Sequence, residues 1–366
     1  MRMAGQSPDV PKPVVRLEDV ARLAGVSIAT ASRAIHGARG RVVAEHLRAR
    51  VLSAAAELGY VPNVNAQAMA RGRSQMLGLV VHDIADPYFS TIAAGVATVA
   101  AGSGAFVTLA VTDRDPEREL AHVQLFRRNR CRALILVGSR TTGRRITSAL
   151  TRELAAFEAE GGRAAAVSQP RLPIDTVAVD NIAGARDLAS ELVRLGYRKF
   201  GMLAGPRGLL TAMDRAAGFT RGLLEHGVAP AADDVAHSDF TRDGGYAAMA
   251  KLIDAGRRIE CVFAVNDVMA VGAIACLRDQ GLCVPDDVAV AGFDDIPTLR
   301  DITPTLTTVR LPLADIGAAA AAMVLAAPTD KPKVESIAAT VVIRASTPGL
   351  AGSDAGPDRR AGANVG

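Results

Sequence analysis

Cysteine is scarce in this chain and poorly spaced for chemistry. The four, Cys131, Cys261, Cys276 and Cys283, form no CxxC pair and have no histidine beside them. A disulfide framework and a zinc site both lack support, and the cysteines read as small core residues of a reducing compartment. Apolar runs are short: none approaches the roughly 20 residues of a membrane helix, and no secretory leader is evident. The expected location is cytoplasmic, with no membrane partner. The single GxG, Gly102-Ser103-Gly104, precedes an apolar segment instead of following one and lacks the third glycine of a dinucleotide fingerprint. It reads as a helix-stop turn. No Ser/His/Asp set or carboxylate pair stands in supporting context, so neither an enzyme nor a metal or cofactor is expected.

What is present begins with size: 366 residues, 49% hydrophobic, can bury a large core and should form more than one domain. Charge is unevenly placed. Residues 1–74 carry eleven Lys or Arg against five Asp or Glu, although the whole chain is only +4. A basic first segment on a slightly acidic remainder suits phosphate contact at one end.

That basic segment has helical punctuation. Leu17, Val20, Ala21 and Ala24 share one face of a short helix, Gly25 suits the left-handed residue that ends it, and Ser27 is placed to cap a second helix from Ile28. Two short helices joined by a glycine turn predict a helix-turn-helix over residues 16–60. The second would bury Ala31, Ala34 and Ile35 and present Ile28, Ala29, Thr30, Ser32 and Arg33, as a recognition helix does in a major groove. A third, roughly Glu45 to Leu58 and stopped by Gly59, would cover the pair with Leu47, Val51, Leu52 and Ala55.

These residues resemble the LacI/GalR family of bacterial transcription regulators, whose members open with DVARLAGVS..T.SR, a helix ending LGY.PN, and a hinge. Here the elements are Asp19 to Ser27, Thr30, Ser32, Arg33, and Leu58 to Asn63, and the same order of motifs runs through nearly the whole chain. The resemblance implies that Ser27, Ile28, Ala29, Thr30, Ser32 and Arg33 contact operator DNA, together with Asn63, Ala66 and Met69 of a hinge over 61–74. Arg33 is suited to a bidentate contact with guanine. Met69 stands where the family usually places a leucine wedge for the minor groove. Other departures are His36 for Asn, Ala31 for Val, and Ala44 and Leu47 for Ser and Thr; Ala44 loses a capping oxygen worth about 1 kcal/mol.

From Met76 onward, β-branched apolar segments alternate with amphipathic helical stretches. Strands are predicted at Leu77, Phe106, Ala133, Thr176, Phe200, Cys261 and Val288, the pattern of doubly wound parallel sheets whose ligands bind beyond the strands' carboxyl ends. The fold class is α/β: a small all-helical headpiece, then a core of such sheets. The resemblance makes that core two-lobed and periplasmic-binding-protein-like. Lobe 1 is placed at about 75–178 plus 309–330, and lobe 2 at about 179–308 plus 331–350, with crossovers near 177–181, 307–310 and 328–334. Residues 1–15 and the Gly-rich 351–366 read as disordered tails.

By the same resemblance, Arg215, Asn266 and Asp294 are effector contacts, Phe89 and Phe240 are pocket walls, and Asp86 is a polar group from lobe 1. Such groups suit the hydroxyls of a sugar, and polyols or purine-like ligands can use them too. The family's frequent Asp-Arg pair before the first crossover appears as Ser168-Gln169. Asp267 reads as a helix cap, Asp180 and Asn181 as a strand end and helix start, and Asp295 as solvent-facing. The expected molecule is an operator-binding regulator, a repressor by family habit, acting as a homodimer, with a tetramer left open. A solute-binding protein would share the lobes without the headpiece, and an NAD(P)-dependent enzyme would share only the sheets.

The hinge reading has a direct test. Met69→Gly removes the wedge and costs the helix about 1 kcal/mol, so operator affinity should fall while effector affinity holds; Met69→Leu is the control. Operator titration with unchanged affinity in the glycine variant would make the segment a passive linker.

Overall fold

The computed structural model describes residues 15–36, 43–61 and 74–350. Its two compact units are Met1–Ser74 and Gln75–Gly366. The tails at 1–14 and 351–366, and Asn63, Ala66 and Met69, lie outside the described residues.

In the first unit, α1 (Leu17–Leu23), α2 (Ile28–His36) and α3 (Glu45–Leu58) close around Val20, Ala21, Ala24, Ala31, Ala34, Val51 and Ala54. The turn follows from local chemistry. Gly25 takes φ 59°, and the Ser27 hydroxyl accepts the Thr30 N–H at 3.1 Å to start α2. Arg50 of α3 donates to the Ala24 carbonyl at 2.6 Å, placing a cation at the C-terminal end of α1. Leu52 departs from expectation at 45% exposed, because the buried stripe runs through Val51 and Ala54 and Leu52 falls one step off it. Ala44 precedes α3 with no side-chain cap, and Gly59 ends it at φ 63°.

The second unit alternates strands and helices: β1 (Met76–Val81), α4 (Pro87–Gly102), β2 (Phe106–Val111), α5 (Pro116–Arg128), β3 (Ala133–Val137), α6 (Arg144–Ala159), β4 (Arg163–Val167) and β5 (Asp175–Val179). Then follow α7 (Asn181–Arg194), β6 (Phe200–Leu203), α8 (Leu210–Glu225), β7 (Val235–Ala236), α9 (Arg242–Asp254), β8 (Cys261–Ala264), α10 (Asp267–Asp279) and β9 (Ala289–Ala291). The chain ends its regular structure with β10 (Thr308–Arg310), α11 (Leu313–Leu325), β11 (Val334–Ile337) and β12 (Thr340–Val342). Asp86, Asp115, Asp180, Thr241 and Asn266 each cap the helix they precede by accepting a first-turn N–H. Gly102 and Ser103 end α4, and Gly104 follows at φ 68°.

Two parallel sheets result, ordered β11-β5-β4-β3-β1-β2 and β7-β6-β8-β9, with β10 and β12 forming an antiparallel pair. Chain order reverses beside β1 in the first sheet and beside β6 in the second, and a crevice opens at the carboxyl ends of strands that diverge in this way. The chain passes between lobes at Asp180, at Leu311-Pro312 and at Ala338-Ala339. The third passage comes later than 328–334. Val334–Ile337 pairs in parallel with Thr176–Val179, so it belongs to lobe 1. Its sequence, Val-Glu-Ser-Ile, is that of an exposed edge, and backbone pairing alone makes it a strand. β4, alanine-rich and short of β-formers, is likewise a strand because β3 and β5 flank it.

Cys131, Cys261 and Cys276 are buried, whereas Cys283 is exposed, in the loop after α10, and is no core residue. No helix among the described residues is long and apolar enough to cross a membrane.

Helices α4 and α11 meet backbone to backbone. A Cβ on Gly95 would lie 2.0 Å from the Ala314 carbonyl oxygen, and one on Gly317 2.0 Å from that of Ile92. Gly317→Ala must therefore push the helices apart, and a stability loss of about 1–3 kcal/mol is expected from such overpacking, read as a lower urea midpoint at unchanged m-value. An unchanged midpoint would mean that this contact has slack.

Candidate functional site

On the headpiece, Ser27, Ile28 and Ala29 are exposed at the start of α2, and Thr30, Ser32 and Arg33 are half-buried beside them. Ile28 is 51% exposed, a large apolar side chain held in solvent at the N-terminal end of the helix. Ser27 and Thr30 bond each other through their hydroxyls at 2.9 Å. Arg33 donates through Nε to the Ala29 carbonyl of its own helix at 2.9 Å, which orients the guanidinium without using its terminal nitrogens.

In the second unit a cavity lies between the lobes, at the strand ends marked by the sheet topology. Loops after β1 and β3 bring His82, Asp86 and Ser139; the loop after β2 brings Arg114; lobe 2 contributes Thr211, Arg215, Phe240 and Asp294. Phe89 packs edge-on against Tyr88 at 5.0 Å and tilts against His82 at 5.7 Å, forming the apolar wall of lobe 1.

Arg215 anchors the far side. Although only 2% exposed, its guanidinium donates to Asn181 Oδ1 at 2.8 Å, the Val265 carbonyl at 2.8 Å and Asp294 Oδ1 at 2.7 Å, and it lies 3.9 Å from the centre of the Phe293 ring. Three fixed acceptors and an aromatic face compensate a buried cation. Asp294 sits at φ 125°, a strained conformation for a residue with a side chain, locked by its N–H to Val309 and by Leu311 donating to its carbonyl. Burial pushes its carboxyl up, against the pull of Arg215. His82 moves the other way, to about 3, through burial and the cations Arg140 and Arg114, so its imidazole is neutral. Burial also raises Asp86, opposed by the Tyr88 N–H and Arg114.

Asp86, Phe89, Arg215, Phe240 and Asp294, the residues that the family resemblance assigns to an effector, all line this cavity. Asn266 does not. It is 2% exposed, and its side-chain oxygen is taken by the Met269 N–H at the start of α10. The cap role expected of Asp267 thus falls to Asn266. Asp267 instead ties Ile296 N at 3.0 Å to Thr308 Oγ1 at 2.6 Å, and burial raises its carboxyl to about 6. Asp295 is no solvent-facing residue either: its carboxylate bridges Arg310 at 2.6 Å and Arg344 at 2.7 Å.

Sequence reasoning missed His82, Arg114, Ser139, Gln169, Asn181 and Thr211 on the cavity wall. Arg114 carried one usable signal, its place just after an apolar strand. It follows Asp113 in a second consecutive left-handed conformation, φ 52° and 61°, which turns its side chain toward Asp83 and Asp86 at 3.6 and 3.9 Å. Among the described residues no group of three or more His, Cys, Asp or Glu is arranged to hold a metal.

Comparison with known proteins agrees with both units. Residues 16–63 match the family described as bacterial regulatory proteins, lacI family, and residues 189–347 match a periplasmic binding protein-like domain. The transcriptional regulator GalS of Salmonella typhimurium is 33% identical over 314 residues, 85% of this chain and 89% of the relative. The transcriptional repressor CytR of Escherichia coli is 32% identical, over 84% of this chain and 88% of its own length. A lac repressor dimer bound to operator and the anti-inducer ONPF superposes with a TM-score of 0.77 at 27% identity, covering 91% of this chain and 99% of that one. The regulator CelR in complex with cellobiose gives 0.65 at 28% identity, with the same coverage. Headpiece, paired parallel sheets and full-length likeness to such regulators place this chain in the lacI family of bacterial transcriptional regulators.

Proposed function

We propose that the chain is a repressor that binds a pseudo-palindromic operator as a homodimer in the cytoplasm, with no enzymatic activity of its own. A small hydroxylated effector, a sugar or related polyol, occupies the interlobe cavity. The observation that carries this reading is the cavity itself: charged groups fixed by burial, an amide and hydroxyls set between the walls of Phe89 and Phe240. Polar groups of this kind orient a ligand's hydroxyls while the aromatic faces cover its apolar face. The headpiece favours a regulator over a solute-binding protein with the same lobes. Effector binding shifts the lobes, and a coupling of about 1–3 kcal/mol to the DNA-binding arrangement suffices for control. A thermal-shift screen of sugars, sugar phosphates and nucleobases, followed by operator titration with each hit, tests the reading; the absence of any hit, or hits without effect on DNA binding, would remove it.

Arg33→Ala should weaken operator binding by about 1–3 kcal/mol and relax preference at one base of each half-site; equal wild-type affinity on operator and scrambled DNA would exclude Arg33 from readout.

Arg215→Ala leaves Asp294 buried without its cation, so urea unfolding should show a loss of about 3–5 kcal/mol. The milder Asp294→Asn keeps an acceptor oxygen toward Arg215. It should weaken binding of the screen's best compound by about 1.5–3 kcal/mol in calorimetry while operator affinity stays at the wild-type level. Undiminished binding in Asp294→Asn would place the ligand elsewhere.

A further inference from the structure

Ser168-Gln169, the pair that departs from the family's Asp-Arg, occupies the loop after β4 and faces lobe 2. Every polar capacity of the Gln169 amide that the geometry engages is directional. Its oxygen accepts the Arg140 N–H at 3.0 Å, and its nitrogen donates to Thr211 Oγ1 at 3.0 Å and Asp214 Oδ2 at 3.1 Å on α8. A backbone donor on one side and a carboxylate on the other fix which end is oxygen and which is nitrogen.

Gln169 sits within a wider seam. Leu210 N donates to the Arg140 carbonyl at 2.9 Å, Thr142 N donates to that of Gly208 at 3.1 Å, and Thr141 and Leu209 form an antiparallel bridge. Thr211 N donates to Ser139 Oγ at 2.9 Å. On the lobe 1 side the seam is held from below: Arg140, 4% exposed, makes a two-pronged ion pair with Glu119 at 2.9 and 2.5 Å and donates to Ser168 Oγ at 3.2 Å. These contacts join residues 139–142 to 208–211 without any crossover of the chain. Ser139, Gln169, Leu209 and Thr211 also line the cavity, so opening the seam opens the cavity wall.

We infer that Gln169 is a positioning residue that latches lobe 2 onto lobe 1 along the wall of the cavity, so that ligand exchange requires the seam to part. The inference rests on the effector reading only for what enters the cavity; the latch itself needs no ligand. It also accounts for the departure from Asp-Arg. A glutamine offers a donor to Asp214 and an acceptor to Arg140 N at once, whereas the arginine that the family places here has no acceptor for Arg140 N. Burial pushes the Asp214 carboxyl up, and the Gln169 amide holds it down.

Amide hydrogen exchange on the ligand-free full-length protein tests this. Gln169→Glu keeps the shape but sets two carboxylates against each other, and protection of the Thr142, Leu210 and Thr211 amides should fall about tenfold, as for a local opening. The Leu311 and Gly292 amides, outside the seam, should not change. Gln169→Glu combined with Asp214→Asn reverses donor and acceptor, so the bridge re-forms and seam protection should return to within about threefold of wild type. Unchanged protection in Gln169→Glu, or loss that the double variant does not recover, overturns the latch. The double variant also separates a latch from general loss of fold, which it would not repair. Because no ligand is added, the result is independent of whether the screen finds an effector; a latch without any binding compound would mean that the effector reading, not the latch, has failed.

Discussion

Burying a guanidinium away from water is costly unless its donors and charge are all met, and Arg215 meets this demand by recruiting three distant parts of the chain. Asn181 begins the first helix after the first crossover, Val265 follows β8, and Asp294 is tied through its backbone to Val309 and Leu311 beside the second crossover. The strain at Asp294, φ 125°, persists because these bonds over-determine it. One buried ion pair thus sets the far wall of the cavity and, with it, the geometry at two of the three places where the lobes are joined.

The rest of the cavity follows from topology. Parallel strands deliver their loops to the same end of each sheet, and the reversal beside β1 and β6 spreads those loops apart. Residues as remote in sequence as His82, Ser139, Arg215 and Asp294 converge for this reason alone. Charge pairs then stiffen the loops: the buried Arg140 with Glu119 beneath the seam, and Asp295 with the exposed Arg310 and half-buried Arg344 at the second crossover. Such pairs contribute specificity of arrangement more than net stability.

Much of the candidate site was legible because the family resemblance attached Asp86, Phe89, Arg215, Phe240 and Asp294 to strand ends. Asn266 shows the limit of that reasoning. An Asn before an apolar helical run satisfies a cap and a ligand equally well on paper, and the Met269 N–H decided between them. His82, Arg114 and Gln169 could not be picked out, since their roles depend on burial, on two consecutive left-handed residues and on a partner 45 positions away.

By itself the sequence determined the elements whose causes are local. Gly25 and Gly59 end helices through left-handed backbone, Ser27 starts one through its hydroxyl, and β-branched runs make strands whose alternation with helices implies parallel sheets. Tertiary structure alone decided what depends on neighbours: that alanine-rich β4 and polar-edged β11 are strands, that the third crossover falls at 338–339, and that Gln169 reaches across to lobe 2. A strand's hydrogen bonds and a buried charge's compensation come from other parts of the chain, and no window of sequence contains both partners.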